Sequence, residues 1–306
     1  MVPGTGVPAR GPVIVLDGGL ATELEARGHD LSDELWSARL LMDDPDGIIS
    51  AHETFFRAGA EVATTASYQA SFEGFAARGI GDRQAAALLR RSVELAKAAR
   101  ERAGIATGRV AASVGPYGAT LADGSEYRGR YGLSVAELTA FHRPRVEALA
   151  AAGPDLLALE TVPDIDEAVA LLAAIEGIGV PAWLSYTISG DRTRAGQPLE
   201  EAFAVAAGND EIVAVGVNCC APDDVEPAVA LARRTTRKPV IVYPNSGEEW
   251  DAGRRAWSGA SRFTAQAAER WIRAGADFVG GCCRVRPADI AVISRAAAGY
   301  AARGAR

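Results

Sequence analysis

Short apolar runs alternate with longer segments of helical periodicity along most of the chain, and this alternation constrains the fold more than any other feature. The longer segments, in which apolar residues recur at helical spacing, cover 33–41, 45–57, 83–103, 135–152, 165–175, 222–233, 261–274 and 287–302. The short runs predict eight strands, at 13–16, 61–65, 110–114, 156–159, 182–186, 212–217, 239–242 and 277–279. Strands that alternate with helices predict a parallel sheet with helical crossovers.

Eight strand-helix units in a chain of 306 residues fit a closed (β/α)8 TIM barrel, which is an α/β fold, better than an open sheet. An open doubly wound sheet is the alternative. We expect one barrel domain over residues 13–303. The Gly- and Pro-rich residues 1–12 are expected to form a flexible N-terminal segment.

The charge and hydropathy of the chain restrict its partners and its location. A net charge of −7 argues against nucleic acid, which requires clustered positive charge, and favours a small-molecule partner. No apolar stretch approaches the roughly 18 residues of a membrane-spanning helix, and the N-terminus lacks the apolar core of a signal peptide. We therefore expect a cytoplasmic protein that does not bind membranes; the sequence leaves its oligomeric state open.

Polar residues gather directly after the predicted strands. In barrel enzymes the active site lies at the C-terminal ends of the strands, so these residues are expected at a single mouth. They include Asp17, Gly18, Thr65, Ser67, Ser113, Glu160, Asn218, Cys219, Asn245, Cys282 and Cys283.

All four cysteines of the chain follow two predicted strands, as Cys219-Cys220 and Cys282-Cys283. Reduced cytoplasmic cysteine pairs more often bind metal or do chemistry than form structural disulfides. Three thiolates from two strand ends would hold Zn²⁺ with one open position, as catalytic zinc sites require. The alternatives are a vicinal disulfide or redox pair, and buried cysteines that act as small apolar side chains, which is the interpretation we favour for Cys220.

The glycines before the second cysteine pair bear on this geometry. Successive residues of a strand point to opposite faces, so Cys282 and Cys283 share one metal only if the chain leaves the strand there. Gly280 and Gly281 are expected to permit this through their conformational freedom.

A sulfur-rich zinc site favours chemistry on a thiol. A free thiol, with a pKa near 8.5, is mostly protonated at neutral pH, and coordination removes that proton. Hydrolytic zinc sites instead use nitrogen and oxygen ligands. Of the three histidines, His29, His52 and His142, none follows a predicted strand, which argues against histidine-assisted nucleophilic catalysis.

Other residues of the predicted mouth fit an amino-acid substrate. Asp17 and Glu160 can hold an ammonium group, although each can equally be a helix cap or an ion-pair partner. Gly18 and Gly19 leave backbone amides for a carboxylate, and Asn245 either contacts substrate or makes a turn. Residues 115–132, which include Tyr117, Tyr127 and Tyr131, are predicted to form a lid or substrate wall. Trp250 and Trp257 either shelter a sulfonium cation or provide hydrophobic cover.

Five motifs in this order resemble the zinc-dependent homocysteine S-methyltransferase family. They are LDGGLATEL at 16–24, SVGPYG at 113–118, LET at 159–161, GVNC at 216–219 and GGCC at 280–283. The stretches 119–129, 141–149 and 242–248 resemble the bacterial and plant branch that uses S-methylmethionine, sometimes S-adenosylmethionine, as donor. The resemblance implies Zn²⁺ on Cys219, Cys282 and Cys283. It also implies homocysteine binding by Asp17 and Glu160, and we add Gly18, Thr65, Ser67, Asn218 and Asn245 as candidate substrate contacts.

The expected reaction is attack of the zinc-bound homocysteine thiolate on the methyl group of a sulfonium donor, which yields methionine. One alternative keeps this chemistry with another donor or acceptor, such as betaine or selenocysteine. A second alternative is a non-enzymatic cysteine site for zinc storage or redox sensing.

Overall fold

Eight parallel strands form a closed barrel in the computed structural model, which describes residues 11–31, 36–251 and 256–304. We number the barrel strands β1 (Ile14–Val15), β2 (Val62–Thr64), β3 (Arg109–Val114), β4 (Leu156–Val162), β5 (Ala182–Tyr186), β6 (Ile212–Asn218), β7 (Val240–Tyr243) and β8 (Phe278–Val279). Each strand pairs in parallel with its neighbours in the chain, and β1 pairs with β8. A parallel bridge between Leu16 and Val62 joins β1 to β2 and closes the ring. The predicted TIM barrel is confirmed.

Helices surround this barrel and connect its strands. They are α1 (Leu20–Ala26), α2 (Trp36–Asp43), α3 (Pro45–Arg57), α4 (Phe72–Ala76), α5 (Asp82–Ala103), α6 (Tyr117–Leu121), α7 (Val135–Ala150), α8 (Ile165–Ile175), α9 (Leu199–Ala204), α10 (Val225–Thr236), α11 (Ala265–Ala274) and α12 (Pro287–Gly304). Short 3-10 helices cover Ser125–Tyr127 and Pro222–Asp224, and two antiparallel hairpins, Ile188–Ser189 with Arg192–Thr193 and Glu249–Asp251 with Ala256–Ser258, lie outside the barrel.

The longer helices match their predictions closely, whereas the short ones do not. Both α3 and α8 have the predicted bounds, and a capping box between Ser134 and Glu137 begins α7. Four helices of five to seven residues, α1, α4, α6 and α9, lie outside the predicted helical segments, because so few residues show no helical period.

Two apolar clusters build the core. The inner cluster takes side chains from β1 to β7 and fills the inside of the barrel around Trp183, which is fully buried. The outer cluster lies between the sheet and the helices, where Val, Leu and Ile of the strands meet the apolar faces of the helices. Because side chains fill the barrel interior, the space for a ligand lies at the mouth, beyond the strand ends.

The predicted N-terminal segment, the domain bounds and the expected lack of a membrane-spanning helix can be compared with the structure only over the described residues. Residues 1–10 of the predicted flexible segment lie outside the described residues, and the bounds of the domain, 13 and 303, stay predictions. Within the described ranges, each helix is too short or too polar to span a lipid bilayer.

Candidate active site

A cavity of about 220 Å³ opens at the C-terminal mouth of the barrel. Its floor is the barrel interior, and its walls are the C-terminal ends of β2, β3, β4 and β7 and the loops that follow β1, β2, β3, β6 and β8. The side chains and glycines that line it belong to Asp17, Gly18, Gly19, Leu20, Ala21, Thr22, Thr64, Thr65, Ala66, Tyr68, Gln69, Ser113, Tyr127, Glu160, Thr161, Cys219, Tyr243, Gly281, Cys282 and Cys283.

Three cysteines meet on one side of this cavity. The Sγ atoms of Cys219, Cys282 and Cys283 all lie within 4.8 Å of one another. Cys219 and Cys282 form a disulfide whose Cα atoms are 5.6 Å apart, and Cys283 is free. This disulfide joins two loops, so it is not the vicinal pair considered from the sequence. The loops after β6 and β8 therefore curl inward far enough to bring the three sulfurs together.

Cys220 points away from the sulfur group. Its side chain is buried in the outer core cluster between apolar residues, as expected from the sequence. Burial raises the pKa of the Cys220 thiol to about 12, so this thiol stays protonated at neutral pH. It behaves as a small apolar side chain.

The loop after β7 braces the two cysteine loops against each other. Asn245 accepts a hydrogen bond through Oδ1 from the backbone N–H of Cys283, at 3.1 Å, and its own N–H donates to the carbonyl of Cys220, at 3.0 Å. The N–H of Cys282 donates to the carbonyl of Pro244 at 2.8 Å. Asn245 does not line the cavity, but it fixes the backbone that carries Cys283.

The glycine pair before Cys282 is required for a reason that differs from the expected one. Neither Gly280 nor Gly281 has a positive φ, so conformational freedom is not what the turn needs. A Cβ atom on Gly280 would lie 2.5 Å from the Cβ of Leu16, and one on Gly281 would overlap the side chain of Val285. The glycines let β8 and its loop approach β1 and the following turn closely.

Two residues of the mouth adopt left-handed backbone conformations that are uncommon outside glycine. Cys219 has φ 47° and Thr161, a β-branched residue, has φ 59°. Asn218 holds Thr161 there, because its Oδ1 accepts from the Thr161 N–H and its Nδ2 donates to Thr161 Oγ1, both at 2.8 Å. The side chain of Asn218, a candidate substrate contact, is thus bonded to the protein and does not line the cavity.

Two buried carboxylates, Asp17 and Glu160, line the same cavity as the cysteines. Asp17 accepts hydrogen bonds from the N–H of Thr64, at 2.8 Å, and from Thr64 Oγ1, at 3.0 Å. Burial nevertheless raises the pKa of Asp17 to about 8, and the charge of Glu160 contributes to this rise. Glu160 accepts a short hydrogen bond from Ser113 Oγ, and burial raises its pKa to about 7.

The raised pKa values mean that near neutral pH Asp17 is mostly protonated and Glu160 about half protonated. A buried carboxylate without a cationic partner prefers its neutral form. A ligand with an ammonium group supplies the missing positive charge and favours ionisation of both carboxylates. The pair is therefore suited to bind the amino group of an amino acid.

The segment 115–132 forms part of the cavity wall, and only one of its three tyrosines reaches the cavity. Tyr127 lines the cavity together with Cys283. Tyr117 and Tyr131 pack against each other with ring centroids 5.2 Å apart, away from the sulfurs. The segment contains α6 and a 3-10 helix, whereas the sequence had indicated a long loop.

Buried charges anchor this wall from behind. Arg145 donates to the carbonyls of Gly115, at 3.0 Å, and Tyr68, at 3.1 Å, which joins the loops after β3 and β2. Glu167 accepts from the N–H of Tyr117 at 2.5 Å and from the hydroxyl of Tyr131 at 3.2 Å. His142 contributes to the same cluster through Nε2, 3.0 Å from Glu167, so it serves the core as expected.

The sequence-predicted residues divide between the cavity surface and its support. Those that line the cavity are Asp17, Gly18, Thr65, Glu160, Cys219, Cys282 and Cys283, and those that lie behind it are Ser67, Asn218 and Asn245. Ser67 bonds Thr65 Oγ1 at 2.7 Å and the carbonyl of Ser113 at 2.8 Å. The N–H of Gly19, expected to be open for a carboxylate, donates instead to the carbonyl of Val285 at 2.9 Å.

Three tyrosines line the cavity, and two of them, Tyr68 and Tyr243, were not among the predicted site residues. Tyr68 and Tyr243 follow or end strands, but many core tyrosines do the same, while Tyr127 was noted only as part of the wall. Trp250 and Trp257, considered as cover for a sulfonium, pair across the hairpin Glu249–Asp251 with Ala256–Ser258, and their side chains lie outside the described residues.

The sulfur group fits a metal ion. In a tetrahedral site with metal–sulfur distances of about 2.3 Å, the sulfurs lie about 3.8 Å apart. The three Sγ atoms lie within 4.8 Å of one another, next to a cavity that leaves a further position accessible. Reduction of the Cys219–Cys282 disulfide makes all three sulfurs available as ligands. Fold and site together define a barrel with a three-cysteine candidate metal centre at its mouth.

Comparison with known proteins identifies the family. The model of the homocysteine S-methyltransferase family matches residues 14–297. The chain is 48% identical to a homocysteine S-methyltransferase of Escherichia coli over 92% of this chain and 94% of that protein. It is 41% identical to a selenocysteine methyltransferase of Astragalus bisulcatus, over 92% and 91%. A crystal structure of the metallated form of the homocysteine methyltransferase MmuM from Escherichia coli superposes with a TM-score of 0.85 at 46% identity, over 94% and 96%. The chain belongs to the homocysteine S-methyltransferase family.

Proposed function

We propose that the protein transfers a methyl group from a sulfonium donor, S-methylmethionine or S-adenosylmethionine, to the sulfur of L-homocysteine, with Zn²⁺ held by Cys219, Cys282 and Cys283. The observation that carries this proposal is that the three sulfurs line the same cavity as two buried carboxylates. The sulfur group suits a thiol and the carboxylates suit an ammonium group. Homocysteine has both groups.

Asp17 and Glu160 would bind the ammonium group and thereby orient the substrate. Their positions, set by Thr64 and Ser113, leave carboxylate oxygens for a cation at the cavity surface. Binding of the ammonium favours loss of their protons, because the pKa values of about 8 and about 7 fall when a positive charge arrives. An anchored amino group restricts the homocysteine sulfur to the cysteine side of the cavity.

In the transfer step a lone pair of the homocysteine sulfur forms the new S–CH3 bond. The S–CH3 bond of the donor breaks, and its electron pair remains on the leaving sulfur, which becomes a neutral thioether. The thiol proton of homocysteine is lost to solvent. Because opposite charges are neutralised as the methyl group moves, a site with little water lowers the barrier. The wall at 115–132, anchored by Arg145 and Glu167, limits access of water.

Zn²⁺ at the three cysteines would supply a Lewis acid that favours the ionised form of the substrate thiol. The chain's own contribution is the sulfur ligand set, whose cysteine loops are braced by Asn245. Because these cysteines must stay reduced to bind metal, we place the protein in the cytoplasm.

The proposal is tested by a methyl-transfer assay on reduced, zinc-loaded protein. Homocysteine is the acceptor, and S-methylmethionine, S-adenosylmethionine and betaine are tested separately as donors. We expect methionine with a sulfonium donor, loss of activity after chelation of the metal, and recovery when zinc is added. Absence of methionine with all sulfonium donors, in protein that contains zinc, would refute the proposed function and favour a storage or redox site.

Selenocysteine is a second candidate acceptor, because one relative is a selenocysteine methyltransferase at 41% identity. A selenol ionises more readily than a thiol and meets the same sulfur group. The ratio of kcat/KM for the two acceptors, measured with one donor, decides which acceptor is preferred.

A further inference from the structure

The side chain of Gln69 lines the cavity, and its carboxamide forms no hydrogen bond to the protein. Its Oε1 is buried and accepts from no donor, and its Nε2 donates to no atom within residues 11–31, 36–251 and 256–304. Because Oε1 is buried while the residue lines the cavity, Nε2 is the polar end that a ligand can reach. A buried acceptor without a donor is unfavourable for folding, so this arrangement calls for a functional explanation.

A second half-buried glutamine shows the structural role that Gln69 lacks. Gln197 Oε1 accepts from the N–H of Ile165, at 3.0 Å, and from Thr193 Oγ1, at 3.0 Å. These bonds join the start of α8 to the hairpin that follows β5. The carboxamide of Gln197 therefore stabilises the fold, whereas that of Gln69 adds no hydrogen bond to it. A role toward a ligand accounts for the position of Gln69 at the cavity.

Hydrogen bonds fix the loop on both sides of Gln69. Arg145, which is fully buried, donates to the carbonyl of Tyr68 at 3.1 Å, directly before Gln69. Directly after it, the N–H of Ala70 donates to the carbonyl of Ser67 at 3.0 Å. The backbone at Gln69 is therefore held before a ligand binds, which lowers the entropic cost of using its side chain for binding.

The charges around the cavity determine which ligand group this side chain suits. Asp17 and Glu160 line the cavity, and among the described residues that line it none is Arg, Lys or His. A ligand carboxylate in this cavity therefore needs neutral donors. Of the same described lining residues, Gln69 is the one with a side-chain N–H. Several lining hydroxyls are already bonded to protein groups, namely those of Thr64, Thr65, Ser113 and Tyr243.

We propose that Gln69 binds the α-carboxylate of an amino-acid substrate through its side-chain N–H. This inference rests on the proposed function, which supplies two such substrates, because homocysteine and S-methylmethionine each have an α-carboxylate next to an ammonium group. Asp17 and Glu160 suit the ammonium group, and Gln69 suits the carboxylate. The three residues together select an amino acid over a simple amine.

The test measures binding by calorimetry on reduced, zinc-loaded protein, with homocysteine and S-methylmethionine in separate titrations. Gln69→Leu removes the N–H at similar side-chain volume, and Gln69→Glu replaces it with a negative charge. Gln84→Glu is the matched control, because Gln84 is exposed on α5 and does not line the cavity. Each titration is repeated with the decarboxylated form of the substrate, which keeps the ammonium group and the sulfur but has no carboxylate.

We expect Gln69→Leu to weaken binding about tenfold for the substrate whose carboxylate Gln69 holds, the loss typical of one hydrogen bond to a charged group. Gln69→Glu should weaken binding of the same substrate about 100-fold, because repulsion between two carboxylates adds to the lost bond. The decarboxylated form of that substrate should bind Gln69→Leu as tightly as it binds wild type. Gln84→Glu should bind every ligand with wild-type affinity.

Wild-type affinity of Gln69→Leu for both substrates would overturn the inference. So would a loss that persists with the decarboxylated forms, since a general disturbance of the cavity then explains it. Tighter binding by Gln69→Glu would also contradict it, because the side chain would then hold an ammonium group.

The two proposals fail separately. If wild-type protein binds the substrates but transfers no methyl group, the proposed function is wrong, while the affinities still decide the role of Gln69. If wild-type protein binds neither substrate, both are wrong.

Discussion

The two groups of functional residues at the cavity, the sulfur side with its cysteines and the carboxylate side with Asp17 and Glu160, are positioned in different ways. On the sulfur side, backbone hydrogen bonds and close backbone packing position Cys219, Cys282 and Cys283 through loops that follow β6, β7 and β8. On the carboxylate side, side-chain hydrogen bonds position Asp17 and Glu160 through partners that lie 47 residues away in the chain.

This difference has a chemical reason. A metal site needs sulfur atoms at nearly fixed distances, and backbone constraints provide this rigidity. A site for an ammonium group needs carboxylates that exchange a proton for a cation, and hydroxyl donors such as Ser113 permit this because they bond both protonation states. We therefore expect substitutions on the sulfur side to affect metal content, and those on the carboxylate side to affect substrate affinity and pH dependence.

The largest effect is expected from Cys282→Ser, which removes one sulfur ligand. Bound zinc should be lost, and turnover should fall at least ~1,000-fold, since the Lewis acid supplies several kcal/mol. Metal analysis and the methionine-forming assay measure both. Cys220→Ser is the control, because Cys220 lies in the core and is not a zinc ligand in this account. This variant should retain bound zinc. Zinc retained at wild-type stoichiometry in Cys282→Ser would show that the sulfur side is not the metal site.

Glu160→Gln tests the carboxylate side. The amide cannot balance an ammonium charge, so the KM for homocysteine should rise about 100-fold, which corresponds to loss of a charged hydrogen bond. Zinc content should stay at the wild-type value, and so should the KM for the donor. A variant that loses zinc instead would mean that the two sides are not independent.

Asn245→Ala has a smaller predicted effect on the sulfur side. Without its Oδ1 the N–H of Cys283 loses its acceptor, and the loop that carries this sulfur becomes less constrained. Zinc affinity, measured by competition with a chromophoric chelator, should fall about tenfold, as for other residues that orient metal ligands. Asn209→Ala, at a surface turn far from the cysteines, should leave it unchanged. Unaltered affinity in Asn245→Ala would remove this residue from the account.

A further prediction concerns the pH dependence of stability in reduced, metal-free protein. The pKa of Asp17 is raised from 3.8 to about 8, so the folded state keeps a proton that the unfolded state releases between those values. Its contribution to stability is thus fully present below pH 3.8 and is lost as the pH rises towards 8. In wild-type protein the Asp17 proton should make the free energy of unfolding fall by about 1.4 kcal/mol per pH unit between about pH 5 and 7. Asp17→Asn should remove this part of the fall.

The control for this measurement is Asp123→Asn. Asp123 is exposed, and hydrogen bonds from Ser125 lower its pKa, so it titrates below the pH range over which the slopes are compared. Denaturant unfolding at several pH values gives the slopes. If Asp17→Asn and wild-type protein show the same slope, Asp17 is ionised in the folded protein, and its assignment as a proton-exchanging group fails.

Much of the fold follows from the sequence because its signals are local. Eight apolar runs gave the eight strands, and periodic segments such as 45–57 and 165–175 gave helices with the observed bounds. Closure of the barrel is a long-range event, but eight parallel units leave few other arrangements. The short helices α1, α4 and α6 have too few turns for a period, so tertiary packing decides them.

The candidate site was predictable where a residue type and its place after a strand determine the chemistry. This holds for Cys219, Cys282, Cys283, Asp17 and Glu160, all of which line the cavity. Asn218 and Ser67 were predicted to contact the substrate, but their side chains bond to the protein behind the cavity. Tyr243 and Tyr68 were not predicted to do so, but they line the cavity. For these residues, packing across the barrel decides whether a side chain faces the ligand or its support.

The central claim is that three sulfur atoms of this chain bind one zinc ion and that the sulfur of homocysteine joins them. X-ray absorption at the zinc edge of reduced, zinc-loaded protein tests it directly. We expect three sulfur neighbours at about 2.3 Å without substrate and four with homocysteine. Fewer than three sulfur neighbours, or a count that stays the same when homocysteine is added, would contradict the account.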